Sequence, residues 1–352
     1  MNIGLIAYSS NTGLGYQTYE FAKHIECSAI LVVDLSCFNN MEVHHNRFDE
    51  LSKNIRITHS IPDQEDIEWL CSKSEVIFLC ETPLNYKLFT IAREYKTKTI
   101  LQYNYEFLNY FRDRNLPPPD LLVSPSLWNI DKVRELDIAP VEFLPVPINL
   151  KNIKFREIRE VNKFFHITGR PAIHDRNGSV EFLEACILLG DRFEYEIYIQ
   201  SPKELQTEKN FHEIKATLDR AKSILGDRLF VHFDIENNND MYLNGDVLVL
   251  PRKYGGLCLP MKESLSAGIP IIMTNISPND KILPSNWLVD TNYCGDLETH
   301  SKIPMYETNA NELAYKMLEM TKTIGEDNKL AYKIAKEYSW NKLIKRYCEI
   351  LR

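Results

Sequence analysis

Residues 245–272 read GDVLVLPRKYGGLCLPMKESLSAGIPII. The run Val247-Leu248-Val249-Leu250 is short, apolar and β-branched enough for a strand buried on both faces. Pro251 closes it and Gly255-Gly256 permit a sharp turn. A helix is expected around residues 263–267, and a further strand over 269–274. Strand, glycine turn, helix and strand in that order is the repeating unit of a parallel α/β sheet. Backbone N–H groups at such a helix start can bind a phosphate or a sugar hydroxyl. Glu263, one turn into the helix, can accept hydrogen bonds from two ribose hydroxyls.

Working outward, the second half of the chain repeats this alternation. Strands are expected over residues 164–168, 194–200, 229–233 and 247–250, and helices over 179–189 and 212–225. The last helices are expected over 312–324 and 328–351. The first half follows the same rule, with strands over 3–8, 29–33, 76–79, 99–102 and 121–123 and helices over 16–25, 84–95 and 130–136. Residues 139–149 contain Pro140, Pro145 and Pro147 and read as an extended interdomain connector. Pro117-Pro118-Pro119 reads as a loop. The fold class is therefore α/β, two doubly wound Rossmann-like domains facing an interdomain cleft, which is the expected ligand site. The expected domains are residues 1–147, 148–335, and a C-terminal helix, 336–352, crossing back to the first.

The 352 residues suffice for two cores, with 44% of them hydrophobic. A net charge of -8 argues against nucleic-acid binding by bulk electrostatics, though not against a local basic groove. The eight cysteines form no C-x-x-C pair, and Cys80 and Cys186 lie in apolar runs. That usage fits buried thiols in a reducing cytoplasm. The N-terminus lacks the charge and length of a signal peptide, and the apolar runs are too short for a membrane span.

Two further segments carry charge or glycine where chemistry could occur. Residues 167–179 read ITGRPAIHDRNGS, a strand end followed by Gly169 and the cations Arg170 and Arg176. Residues 11–16 read NTGLGY, and Gly13 and Gly15 open a helix after the first strand, but the longer G-x-G-x-x-G pattern is interrupted at Thr18. Glu81, Tyr103, Asn104 and Glu106 follow predicted strands in the first half, where an acceptor would lie. His24 and His174 are lone histidines. Asp234-Ile235-Glu236 is read as a loop near a nucleobase, and no metal is expected.

The segment over residues 245–272 resembles the donor-site signature of glycosyltransferase family 4 and its GT-B relatives. That signature has a strand ending in Asp-Val-x-Val-x-Pro, a Gly-rich turn, Leu-Pro-x-x-Glu-Ala and Gly-x-Pro-Val. The resemblance implies that Glu263 binds the donor ribose and that the amides of Gly256, Leu257 and Cys258, with Gly255 and Leu259 beside them, face the sugar and diphosphate. It also implies that Arg170 and Arg176 hold the diphosphate and that Gly13 and Gly15 approach from the other domain. One position departs: the family's second Glu is Gly255 here, which leaves the donor sugar open. Residues 119–126 and 337–340 resemble the family's late N-terminal strand and the start of its last helix.

The resemblance implies a retaining glycosyltransferase that uses a nucleotide-diphosphate sugar, a UDP-sugar above others, with no cofactor. Its acceptor is open among glycan, lipid-linked, protein and nucleic-acid classes, as is its oligomeric state. Rival readings are a nucleotide-sugar epimerase or phosphorylase of the same fold, and a non-catalytic nucleotide-sugar-binding protein.

Overall fold

The computed structural model describes residues 1–34, 44–169, 175–199, 209–233, 235 and 237–352. The chain forms two compact units. Residues 1–147, 298–302 and 340–352 make the first, and residues 148–297 and 303–339 the second.

In unit 1 the strands are β1 (Ile3–Tyr8), β2 (Ala29–Val33), β3 (Ile55–Thr58), β4 (Val76–Glu81), β5 (Lys98–Tyr103), β6 (Leu121–Ser124) and β7 (Val141–Phe143). All pair in parallel, in the order β3-β2-β1-β4-β5-β6-β7. The helices are α1 (Gly13–His24), α2 (Gln64–Ser72), α3 (Lys87–Glu94), α4 (Asn109–Asp113) and α5 (Ile130–Glu135). Side chains alternate along each strand, so one sheet supplies two cores. Leu5, Ile30, Phe78 and Ile100 point to one face, and Ile6, Leu31, Ile77 and Leu101 to the other. The first face is covered by α1 and by the last helix of the chain, which brings Trp340, Tyr347, Ile350 and Leu351.

In unit 2 the strands are β8 (Lys163–Gly169), β9 (Glu194–Ile199), β10 (Leu229–Phe233), β11 (Val247–Leu250), β12 (Ile271–Thr274) and β13 (Leu288–Val289). They pair in parallel as β10-β9-β8-β11-β12-β13. The other elements here are α6 (Ser179–Leu189), α7 (Lys209–Leu225), α8 (Leu259–Ser266), α9 (Asn279–Ile282), a two-stranded sheet of β14 (Asn292–Glu298) and β15 (Lys302–Glu307), and α10 (Ala310–Glu337); the last helix, α11 (Trp340–Leu351), belongs to unit 1.

In both sheets the chain starts centrally, winds outward one way, and returns to wind out the other way. The reversal puts a switch point between β1 and β4 in unit 1 and between β8 and β11 in unit 2. Ligands of such sheets bind outside the strand ends at that place.

Two sequence expectations need correction. The connector over 139–149 contains β7, an edge strand of the first sheet. The helix break expected near residue 325 does not occur: α10 runs unbroken to Glu337. Two polar residues just beyond that point are buried partners of the core. Asp327 accepts from Trp287 Nε1 at 2.8 Å and from Thr323 at 2.5 Å, and Asn328 Nδ2 donates to the Arg156 carbonyl at 2.8 Å. The structure also adds β3 with α2, and β14 with β15, which the apolar pattern does not announce.

Candidate functional site

The switch point of unit 2 is built from the inside outward by a buried histidine. His166 on β8 donates from Nδ1 to the Val249 carbonyl at 2.7 Å, and its Nε2 lies 2.9 Å from Ser179 Oγ at the start of α6. Burial lowers its pKa to about 4, so the ring is neutral and Nε2 accepts the serine proton. Strand β8, strand β11 and the first residue of α6 are thereby tied together. Gly178, at φ +75°, completes the join, since a Cβ there would run into the Pro251 carbonyl.

Above this base lies the Gly-rich turn between β11 and α8. Arg176 donates from Nη2 to the Gly255 carbonyl at 2.5 Å, and its guanidinium carbon stands 4.2 Å from the Tyr254 ring centre. The Lys253 amide in turn donates to the Arg176 carbonyl at 2.9 Å. Arg176 and the turn over residues 253–255 are thus one structure. Arg176 fixes the shape of the turn besides bringing charge to it. Lys253 Nζ pairs with Glu181 Oε1 on α6 at 3.0 Å. Burial raises the Glu181 carboxyl and the lysine opposes it, while the pair raises the Lys253 pKa against burial. Asp175 Oδ2 accepts from the Val180 amide in the first turn of α6 at 2.9 Å. Asn177 Nδ2 reaches the Ile167 and Thr168 carbonyls at 2.9 and 3.1 Å, beneath Gly169. Arg170, with His174, lies outside the described residues, as do Asp234 and Glu236.

Glu263 stands on α8 after Cys258 caps the helix and Leu259-Pro260 open it. Burial raises its carboxyl pKa, and the Tyr242 hydroxyl, donating to Oε2 at 2.6 Å, pulls it back down. Gly255 and Cys258 are buried, whereas Gly256, Leu257 and Leu259 are half-exposed. Among the described residues no group of three or more His, Cys, Asp or Glu side chains could hold a metal ion.

The unit 1 switch point is furnished differently. Thr12 caps α1, accepting from the Gly15 amide at 3.2 Å. Gly15 is required by close approach, because a Cβ would meet the Ser10 carbonyl. Gly13 at the helix start is exposed. Arg47 donates to the Ser10 carbonyl at 2.8 Å, bonds Asn11, and lies 5.4 Å from the Tyr16 ring centre. Below the loop, half-buried Gln17 and buried Cys80 and Gln102 form a neutral network. Glu81 ends β4 exposed, at φ +64°.

Of the other acceptor-side candidates, Tyr103 is only 3% exposed and packs in the core. Asn104 caps a 3-10 turn by accepting from the Glu106 amide at 3.1 Å. His24 stacks on Trp340, centroids 4.4 Å apart. Sequence reasoning missed Arg47, Tyr242, Lys253 and Glu181. Only Lys253, inside the quoted segment, left a local signal.

Compared by sequence, the chain matches no family model and no curated protein. Compared by structure, it is similar to sucrose-phosphate synthase of Thermosynechococcus elongatus, with TM-score 0.70, 11% identity, and 99% of this chain and 98% of that chain covered. It is similar to a glycosyltransferase of Rickettsia africae at TM-score 0.68 and 12% identity, covering 99% of this chain and 98% of the other. HepE of Anabaena, solved with UDP and glucose, matches at TM-score 0.71 and 10% identity over 100% of this chain and 99% of that one. With its paired parallel sheets and full-length coverage, the chain has the GT-B fold, the two-Rossmann architecture of these glycosyltransferases.

Proposed function

We propose that the chain is a retaining, metal-independent glycosyltransferase that takes a sugar from a UDP-sugar. The observation that carries this reading is Glu263, a half-buried carboxylate held on α8 directly after the Gly-rich turn, at the switch point of unit 2. A carboxylate there can accept from the two ribose hydroxyls of a nucleoside diphosphate. The half-exposed backbone of Gly256 and Leu257 at the start of α8 offers amides to the diphosphate, where the helix dipole favours negative charge. Arg176 adds positive charge beside that turn, and Arg170 follows β8 in sequence. Charge building on the leaving diphosphate would be met by these groups, which is how a transferase of this kind works without a metal. HepE was solved with UDP and glucose, and a pneumococcal O-GlcNAc transferase of TM-score 0.57 with UDP and GlcNAc, which supports the choice of donor class.

On the acceptor side the proposal rests on Glu81, an exposed carboxylate at the strand end beside the unit 1 switch point. Glu106 and Asn104 lie past the end of the neighbouring strand. The seven described cysteines are free and five of them are buried, which suits a reducing cytoplasm. No helix among the described residues is long and apolar enough to cross a membrane.

The test is a thermal-shift panel of UDP, ADP and GDP and their sugars. A ligand that binds only the folded chain raises the melting temperature, by an amount that grows with the logarithm of its concentration relative to Kd. The expected result is a rise with UDP and UDP-sugars that Glu263→Ala abolishes. No rise with any nucleoside diphosphate would overturn the reading. Incubation of the responding UDP-sugar alone then separates transfer from epimerisation, since an isomerised sugar would mark an epimerase.

A further inference from the structure

Tyr242 lies outside every motif in the sequence, yet it is the residue that holds Glu263. It ends the 3-10 turn Asn238–Tyr242, shortly before β11. Its side chain is 1% exposed. The ring stands edge-on to Phe165 of β8, with centroids 6.1 Å apart at 80°. Seated there by the core, the hydroxyl meets Glu263 Oε2 at 2.6 Å across 21 residues of chain. That is a short bond from a neutral donor to a charged acceptor, the stronger kind of hydrogen bond.

A carboxylate offers two oxygens. Tyr242 occupies one, and Oε1 has no hydrogen-bond partner among the described residues. A core tyrosine satisfied by a backbone carbonyl would say nothing about ligands. Here the acceptor is the one carboxylate on α8, and burying it without a donor would favour its protonated form. The titratable neighbours are few: Cys258 near Tyr242, and Lys262 beside Glu263 in sequence, whose ammonium lies 5.3 Å from the Tyr338 ring centre.

We propose that Tyr242 is a positioning residue for the donor: it pins one oxygen of Glu263 from the core side, so that the other is presented, charged and oriented, to the ribose hydroxyls of a nucleoside diphosphate. This rests on the preceding reading that Glu263 receives the ribose.

Calorimetric titration of the full chain with UDP and with 2′-deoxy-UDP, from about pH 6 to about pH 9, tests it. Tyr242→Phe is expected to weaken UDP binding about tenfold near neutrality, the size of one charge-assisted hydrogen bond. The loss shrinks as pH rises, because the carboxyl left without its donor ionises at higher pH. It is smaller for 2′-deoxy-UDP, which lacks one of the hydroxyls. Glu263→Gln weakens binding and removes the pH dependence, and adding Tyr242→Phe to it costs little more. Replacement Tyr242→3-fluorotyrosine keeps the ring and strengthens the donor, so it moves the pH profile the opposite way even if the phenylalanine variant fails to fold. If wild-type protein does not bind UDP, the reading of Glu263 fails. If it binds and Glu263→Gln weakens it, but neither Tyr242 variant moves affinity at any pH, Tyr242 only fills the core and this inference is overturned.

Discussion

The two switch points share a strand order and a device, and differ in what stands behind it. In each unit an arginine donates to a carbonyl of the central loop and lies over a tyrosine: Arg47 with Ser10 and Tyr16, Arg176 with Gly255 and Tyr254. Behind the unit 1 loop the hydrogen-bonded partners named above are neutral: half-buried Gln17 and buried Thr18, Cys80 and Gln102. Behind the unit 2 turn are charges, with Glu181 and Lys253 paired, Lys262 buried and Glu263 half-buried. Buried charges cost desolvation that neutral amides avoid. A fold that needed only rigidity could use the unit 1 solution twice. The expense at unit 2 is what a site for a charged, polyhydroxylated ligand would show, and the comparison can be broken at several places.

The largest effect separates the two carboxylates. Glu263→Ala removes two charge-assisted hydrogen bonds to ribose and is expected to lower UDP affinity about 100-fold. Glu81→Ala is expected to lower transfer to the acceptor and leave UDP affinity as it was. Calorimetry with UDP on both variants decides the point, and equal losses would mean the two edges are not specialised.

Next comes pH. Burial lowers the Lys262 pKa to about 7, from its ordinary 10.5. Between those values the unfolded chain holds the proton and the folded one does not, so stability rises with pH across that window. Below about pH 7 both states are protonated and the burial cost is constant. In unit 1 burial instead pushes the Tyr8 and Cys80 pKa values upward, away from neutrality. Urea unfolding followed separately in each unit should show the rise in unit 2 alone. Lys262→Met should abolish it and stabilise unit 2 by about 2–3 kcal/mol near neutrality. Lys253→Met works in the other direction. It leaves the Glu181 carboxylate without its counter-charge and should destabilise unit 2 by about 2 kcal/mol, discounted because the pair is partly exposed. A silent Lys253→Met would show that Glu181 already takes up a proton in the fold.

How much of this the sequence disclosed depends on the range of the physics involved. Buried parallel strands announce themselves as apolar runs, so β1, β2, β4, β8 and β11 were legible to within a residue or two. The edge strand β3, reading Ile55-Arg56-Ile57-Thr58, is only half-buried and carries a charge, and it left no run to recognise. The glycine turn and Glu263 were legible because strand, turn and helix are contiguous. Arg47 and Tyr242 were not, since their partners lie 37 and 21 residues away along the chain. The continuity of α10 past Ile324 was not legible for the same reason: the partners of Asp327 and Asn328, Trp287 and the Arg156 carbonyl, lie 40 and 172 residues away along the chain. The departure at Gly255 was visible, but not that Arg176 would spend a hydrogen bond on its carbonyl.

The smallest predicted effect concerns strain. Glu81 holds φ +64°, a left-handed conformation that costs a residue with a Cβ about 1–2 kcal/mol. The position is set by its neighbours, since Glu81 lies opposite Tyr103 in the β4–β5 pairing and its carbonyl accepts from the Asn104 amide at 3.4 Å. Strain at a strand end beside a switch point is tolerated where the side chain has work to do. Glu81→Gly removes the conformational cost but adds about 0.4–1 kcal/mol of unfolded-chain entropy, so unit 1 should gain somewhat under 1 kcal/mol. The same variant loses the carboxylate and should transfer poorly. A more stable unit 1 with impaired transfer would mean that the exposed acid is kept against the preference of the backbone. A less stable one would mean that its side chain holds the loop, and that unit 1 bears no functional strain at this edge.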